Sequence, residues 1–126
     1  MINFKEALGA SSEADDDILT FYIPTKNANG GDVVYQPWVS KAENLLCDLG
    51  GGATTLPPVS GSWKNPETNE IIKENIYMVY YFVSGDKIEE HVSAIKDFLH
   101  SMGRELDQGE IVVEISGRLY KIKQYT

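Results

Sequence analysis

Few residue types able to do chemistry are present, and most are badly spaced for it. His91 and His100 are nine positions apart in a helical stretch. A shared metal ion needs helical ligands three or four apart, so these two cannot serve one ion from one face. On a helical wheel His91 flanks the apolar stripe beside Phe98 and Met102, and His100 points to solvent. Cys47 falls on the polar side of another helical stretch, near its C-terminus and beside Asp48. Nothing there lowers a thiol pKa, so a passive cysteine is expected.

The run Gly50-Gly51-Gly52-Ala53-Thr54-Thr55 has the composition of a phosphate cradle. Such a loop needs its glycines ahead of a helix, with the helix N-terminus facing the anion. Here they follow one, which predicts a cap and hinge. If a ligand binds there, Thr54, Thr55 and free backbone N–H groups are the donors. Glu74 interrupts an apolar alternation between Ile72 and Ile76. This predicts a carboxylate entering the sandwich, with Lys64 or Lys73 to neutralise it, because a buried unpaired charge is costly. Trp63 follows Gly61-Ser62 and precedes a loop, a place suited to a pocket mouth. Thr54, Thr55, Trp63 and Glu74 are therefore the candidate ligand-binding residues. They converge only if Pro57-Pro58 bends the intervening strand or a second subunit supplies one of them. Glu110 and Glu114 share a strand face, a spacing equally suited to a polar outer surface. Seven tyrosines offer apolar rings with polar tips, useful for sheet packing and pockets alike.

The elements that would position these groups are legible in order. Ile18–Ile23 is β-branched and aromatic and stops at Pro24, as a strand does. Asn27–Asp32 contains Asn-Gly-Gly, a loop signal. From Trp38, apolar residues at Ala42, Leu45, Leu46 and Leu49 trace one helical stripe ended by glycine. Ala53–Val59 holds two prolines, which predicts an edge strand. Ile71–Val83 is the strongest strand, with large apolar groups on both faces. Asp86-Lys87-Ile88-Glu89 has capping-box spacing, and Ile88, Val92, Ile95, Leu99 and Met102 continue a second helix to Gly103. Glu110–Ile115 and Leu119–Tyr125 are joined by Ser116-Gly117, a hairpin turn.

The predicted fold is thus α+β, a two-layer sandwich of order β-α-β-β-α-β-β, with two helices on one face of a ferredoxin-like antiparallel sheet. Residues 1–17 are expected to be an acidic arm and residues 18–126 a single domain. Taking Ile72, Ile76, Met78, Tyr80 and Phe82 as the inward phase leaves Tyr77, Val79 and Tyr81 on the uncovered face. Three large side chains there predict a covered face, with either a second sheet on it, and hence a homodimer, or a ligand; the homodimer is the favoured reading.

A group of features is similar to short, functionally uncharacterised bacterial proteins with a ferredoxin-like layout. They are the early strand before Gly30-Gly31, Trp38 opening a helix, Gly-rich residues before Thr54-Thr55-Leu56, and Gly61-Ser62-Trp63. Ile71-Ile72-Lys73-Glu74 then leads the long strand, and Gln108 to Val112 opens a later one. The resemblance spans about residues 18–122. It departs where Gly109 separates Gln108 from Glu110, a pair adjacent in that group. It implies the fold and supplies no activity or catalytic residues.

Composition narrows the function classes. The 126 residues carry a formal charge of −8, which opposes non-specific binding to nucleic acid or anionic membrane. One cysteine excludes a disulfide framework and a multi-cysteine metal site. No apolar run reaches the ~20 residues that span a bilayer, and no charged-then-apolar leader is visible, so a cytoplasmic protein is expected. The reading that follows is a non-catalytic binding module, a homodimer holding a small ligand or protein partner, with no metal and no cofactor. The alternatives are a small acid/base enzyme using Glu74, His91 or a tyrosine, and an acidic inhibitor or decoy of a mobile element that covers a basic surface.

Overall fold

The computed structural model describes residues 1–126. Its elements in chain order are α1 (Phe4–Ala7), β1 (Asp17–Pro24), α2 (Gln36–Gly50), β2 (Thr54–Lys64) and β3 (Ile71–Val83), then α3 (Gly85–Glu90), α4 (Val92–Glu105), β4 (Ile111–Ile115) and β5 (Arg118–Ile122). The strands form one sheet in the order β2-β3-β1-β4-β5, with every neighbouring pair antiparallel. Helices α2, α3 and α4 cover one face, as a ferredoxin-like α+β sandwich requires. The extra hairpin strand β5 extends one edge. β2 lies at the other edge, where Pro57 and Pro58 sit in a register irregularity between Leu56 and Val59. A proline lacking its N–H is tolerated there because no ladder bond is lost.

Period-two alternation in β1 sends Leu19, Phe21 and Ile23 into the helix layer, all fully buried. Across the ladder these residues oppose Tyr81, Val79 and Tyr77. That pairing corrects the expected phase of β3. Val79 and Val83 are fully buried core residues, and Tyr77 and Tyr81 pack against the same core. Tyr77, Val79 and Tyr81 therefore face the helices, not the uncovered side. The physical reason is the glycine run after α2. A Cβ on Gly52 would lie 2.6 Å from the Tyr81 ring, and one on Gly50 would lie 2.6 Å from the Phe82 carbonyl oxygen. The helix end can approach the sheet only because these side chains are absent. Gly51, at φ 85°, supplies the left-handed cap, and its N–H donates to the Cys47 carbonyl.

α2 buries Trp38, Ala42, Leu46 and Leu49 of the predicted stripe, and Leu45 packs half-buried against the same core. The second predicted helix is broken at His91 (φ −112°, ψ 17°) into α3 and α4. Its cap is the Ser84 hydroxyl, which accepts from the Lys87 N–H at 3.2 Å, rather than Asp86. The break rotates Val92 out of the stripe and leaves it 58% exposed, while Ile88, Ile95, Leu99 and Met102 remain buried. His100, expected in solvent, is buried. Its Nδ1 accepts from the Thr126 N–H at 2.9 Å, and Tyr125 sits edge-on to its ring. The C-terminal segment Lys123–Thr126 thus closes over α4. No helix is long and apolar enough to cross a membrane.

Candidate functional site

The uncovered face of the sheet follows from the same registers. It carries Ile18, Thr20 and Tyr22 of β1; Glu74, Ile76, Met78, Tyr80 and Phe82 of β3; Leu56 of β2; and Val112 and Glu114 of β4. No helix lies over it, and Phe82 is 39% exposed. Its polar groups gather at one end. A cleft of about 90 Å³ is lined by Tyr22, Pro24, Glu74, Ile76, Gln108 and Glu110, among others.

Tyr22 stands out of phase with Leu19, Phe21 and Ile23, so its hydroxyl emerges on this face. It donates to Glu114 Oε1 at 2.9 Å. Burial, together with the Glu114 hydrogen bond and charge, pushes the Tyr22 phenol up to about 12. Glu74, opposite Gly61 on β2, is half-buried, and that burial raises its carboxyl above the usual range. Its expected neutralising lysine does not meet it. The only ion pair in the chain is Lys26–Asp32, in the loop after β1. Glu74 thus faces apolar surface without a cation, on the open side of the sheet rather than inside the sandwich. Gln108 is held by donating to the Lys26 carbonyl at 2.6 Å and the Leu106 carbonyl at 3.0 Å. The carboxylates around the cleft do not converge into a set able to hold a metal ion.

The other sequence candidates are dispersed. Trp63, 47% exposed, opposes Ile72 and shares the Glu74 face near the β2–β3 hairpin end. Thr54 opposes Tyr80 on that face, so the run Ile72 to Tyr80 separates it from Trp63 by about 26 Å at 3.3 Å per residue. Thr55 faces the helix layer, where its hydroxyl donates to Glu43 of α2. Within one chain, then, Trp63 and Glu74 come together and the Gly50–Thr55 loop does not join them. Cys47 is exposed. His91 is exposed, with its Nδ1 2.9 Å from the Lys87 carbonyl oxygen. Tyr22 was not singled out by its spacing with any acid, because the acid that meets it comes from a strand ninety-two residues on. A polar-tipped residue out of phase in an otherwise buried strand is the one local signal it offered.

A second hollow, about 700 Å³, lies within the N-terminal arm and is lined by Met1, Ile2, Phe4 and Leu8 among others. It is the concavity of a curled, exposed segment and holds no constellation of acid and base.

No family model and no curated protein sequence matches this chain. Likeness to solved structures is clear in fold. A phage SAM lyase in complex with S-methyl-5'-thioadenosine aligns at TM-score 0.61 and 11% identity, over 89% of this chain and 92% of its own. A phage SAM lyase in the apo state aligns at 0.60 and 11%, over 86% and 89%. The divalent ion tolerance protein CutA1 from Ehrlichia chaffeensis aligns at 0.51 and 10%, over 91% and 86%. The architecture is shared across essentially the whole chain. At these identities the likeness speaks to fold alone.

Proposed function

We propose that the protein binds a small amphipathic cation on the uncovered face of its sheet, beside Glu74 and Tyr22, and that a second copy of the chain covers that face. The observation that carries this reading is the Glu74 carboxylate, half-buried among apolar side chains with no cationic neighbour. A charge kept there at a desolvation cost is better explained by a ligand than by the fold. Tyr22 and Glu114 supply a fixed donor–acceptor pair beside it. Met78, Tyr80 and Trp63 supply flat or polarisable apolar surface along the same strands.

Sulfonium ligands carrying an adenosyl group fit this chemistry, and the complex of the similarly folded phage SAM lyase with S-methyl-5'-thioadenosine supports their choice as first probes. S-adenosylmethionine has the cation that Glu74 would meet; S-methyl-5'-thioadenosine has the same adenosine without it. Titration calorimetry should return tighter binding of the sulfonium, with Glu74→Gln abolishing the difference between the two. Binding of neither compound would end the adenosyl reading. A second reading, cleavage of S-adenosylmethionine, is favoured by the same likeness. It is tested in the same samples by the appearance of S-methyl-5'-thioadenosine over time.

The apolar extent of the face supports the second copy. Ile76, Met78, Tyr80, Phe82, Leu56 and Ile18 are more contiguous apolar surface than a monomer usually leaves in water. Light scattering at micromolar concentration should return a multiple of 14.0 kDa.

A further inference from the structure

We infer that the C-terminal segment Lys123–Thr126 is a proton-operated latch on one wall of the Glu74 cleft. Neutral His100 holds it shut, and protonation of that imidazole releases it. The catch is one hydrogen bond whose direction the geometry fixes. The Thr126 N–H can only donate, and it lies 2.9 Å from His100 Nδ1. Nδ1 is therefore the unprotonated ring nitrogen, and the neutral ring carries its proton on Nε2. Nε2 bonds nothing in the protein, yet no buried side-chain nitrogen lacks a partner, so Nε2 touches water. A second proton must go to Nδ1, where it meets the Thr126 N–H donor to donor. The Thr126 hydroxyl, 3.3 Å from Nδ1, accepts that proton only once the backbone N–H has turned away.

The charges around the ring give such a proton no counterpart. Arg104, one turn on along α4, donates to the Thr126 carbonyl oxygen and to the Ser101 hydroxyl. Lys96 and Asp97, one turn back, are exposed. The C-terminal segment brings Lys123 and the Tyr125 ring, which stands edge-on to the imidazole at 5.9 Å. Glu110, just ahead of β4, acts on the Tyr125 phenol. No Asp or Glu carboxylate pairs with His100, because the chain's one ion pair is Lys26–Asp32.

The rest of the segment is held by side chains. No backbone hydrogen bond outside the helices and strands involves residues 123–126, and only Tyr125 among them is half-buried. Its ring lies on Gly103, where a Cβ would collide with it. Its hydroxyl donates to the Gln108 carbonyl at 2.9 Å. Burial and the Glu110 charge raise this phenol, so it remains a donor while the imidazole titrates. Gln108 and Glu110 line the cleft with Tyr22 and Glu74. Release of Thr126 therefore removes the tether that keeps Tyr125 on the cleft wall, in a segment with few bonds to resist opening. What the latch regulates rests on the reading of the cleft as a ligand site; the latch itself does not.

The test follows the full-length, isotope-labelled chain by NMR without ligand, so its result stands apart from that of the adenosyl titrations. Histidine changes charge between about pH 5 and about pH 8. His91 is the internal control: its Nδ1 faces the Lys87 carbonyl oxygen at 2.9 Å, a bond that protonation keeps. At the upper end His100 should show the Nε2–H tautomer and the Thr126 amide should be ordered. As pH falls, Thr126 should lose order with the His100 midpoint, and the Gln108 side-chain amide signals should move with it. The released population should rise about tenfold. In His100→Asn a side-chain oxygen can accept the same N–H but takes no proton, so Thr126 should stay ordered throughout. Thr126→Pro, at an exposed position, lacks the N–H. It should leave the segment loose at both ends of the range while His100 still titrates, and it keeps the test decisive if His100→Asn fails to fold. A Thr126 amide that stays ordered while His100 titrates overturns the proposal. So does an Nδ1–H tautomer at the upper end, pH-dependent loosening in His100→Asn, or a Gln108 side chain indifferent to the release.

Discussion

Tyr22 and Glu114 meet across the β1–β4 pair, hydroxyl to carboxylate oxygen at 2.9 Å, on the face of the sheet that no helix covers. The bond joins two strands whose other side chains alternate into the core, so its geometry is set by the sheet rather than by a loop. Tyr22→Phe should cost about 1 kcal/mol of stability, the usual net worth of one hydrogen bond. It should weaken ligand binding more than that, since Glu114 loses its orientation. Calorimetry and chemical denaturation on the same variant separate the two. The phenol titration gives an independent check. Its folded pKa, about 12, lies above the ordinary value of 10.0, so the folded state holds its proton more tightly. The associated stability is fully present below pH 10 and is lost as pH rises from 10 toward 12. Absorbance at the tyrosinate band should show Tyr22 titrating late together with Tyr77 and Tyr125, whose phenols are also raised, and Tyr22→Phe should reduce the late amplitude by one tyrosine.

Glu74 should respond oppositely in binding and in stability. Its raised carboxyl pKa, caused by burial, means that the protonated form is the one the fold prefers. Stability should therefore fall as pH rises through the raised pKa, starting just above the ordinary carboxylate value of 4.5. A cationic ligand needs the charged form, so its affinity should rise over the same window. Glu74→Gln should flatten both profiles and leave stability at neutral pH unchanged or higher. A variant that lost stability at neutral pH would show that the carboxylate has an unrecognised partner.

The phase of β3 separates two variants that look alike in sequence. Met78→Lys adds a charge on the uncovered face and should reduce a multimer to a 14.0 kDa particle with its fold intact, because the charge would be buried unpaired only in the assembly. Tyr81→Lys removes a ring that packs against Gly52 and the core. It should unfold the domain instead. Light scattering with circular dichroism on both variants tells the outcomes apart.

The difficulty of reading that phase from sequence has a specific cause. Ile76, Met78 and Tyr80 are as apolar as Tyr77, Val79 and Tyr81, so alternation within β3 cannot choose between them. The choice is made by partners distant in the chain: Leu19, Phe21 and Ile23 in register on β1, and the side-chain-free approach of Gly50 and Gly52. By contrast, Trp38 to Leu49 has one apolar stripe and one polar face, and its helix was legible in full. The edge position of β2 was equally legible, since Pro57 and Pro58 forbid any other. Trp63 and Glu74 draw notice in the sequence because each is an anomaly within its own strand. Tyr22 and Glu114 were not joined, because their meeting requires β1 to lie between β3 and β4, an order that no local pattern contains.

Two glycines test how rigidly the layers meet. At Gly50 an added Cβ would lie 2.6 Å from a backbone oxygen of β3, which cannot move without the sheet. Gly50→Ala should cost about 2 kcal/mol or more. At Gly103 the added Cβ would lie 2.3 Å from the Tyr125 ring, which belongs to the chain's last residues. Gly103→Ala should instead expel Tyr125, breaking its hydroxyl's bond to the Gln108 carbonyl while β1 to β4 stay folded. Thermal denaturation should rank the two in that order. Faster amide exchange confined to the C-terminal segment is the expected signature of the second.

Removing residues 1–16 should leave the domain's stability almost unchanged. No residue of that segment is buried, and exposed positions without partners contribute within about 0.5 kcal/mol. The melting temperature should shift by no more than about 3 °C. The cut must fall before Asp17, because its carboxylate and the Ile18 N–H both bind Ser116, and losing them would loosen the β4–β5 turn. A chain starting at Ile18 should accordingly melt lower than one starting at Asp17, although the two differ by a single residue. Equal melting temperatures would mean that the Asp17–Ser116 bond contributes nothing, and that the root of the arm is as free as the rest of it.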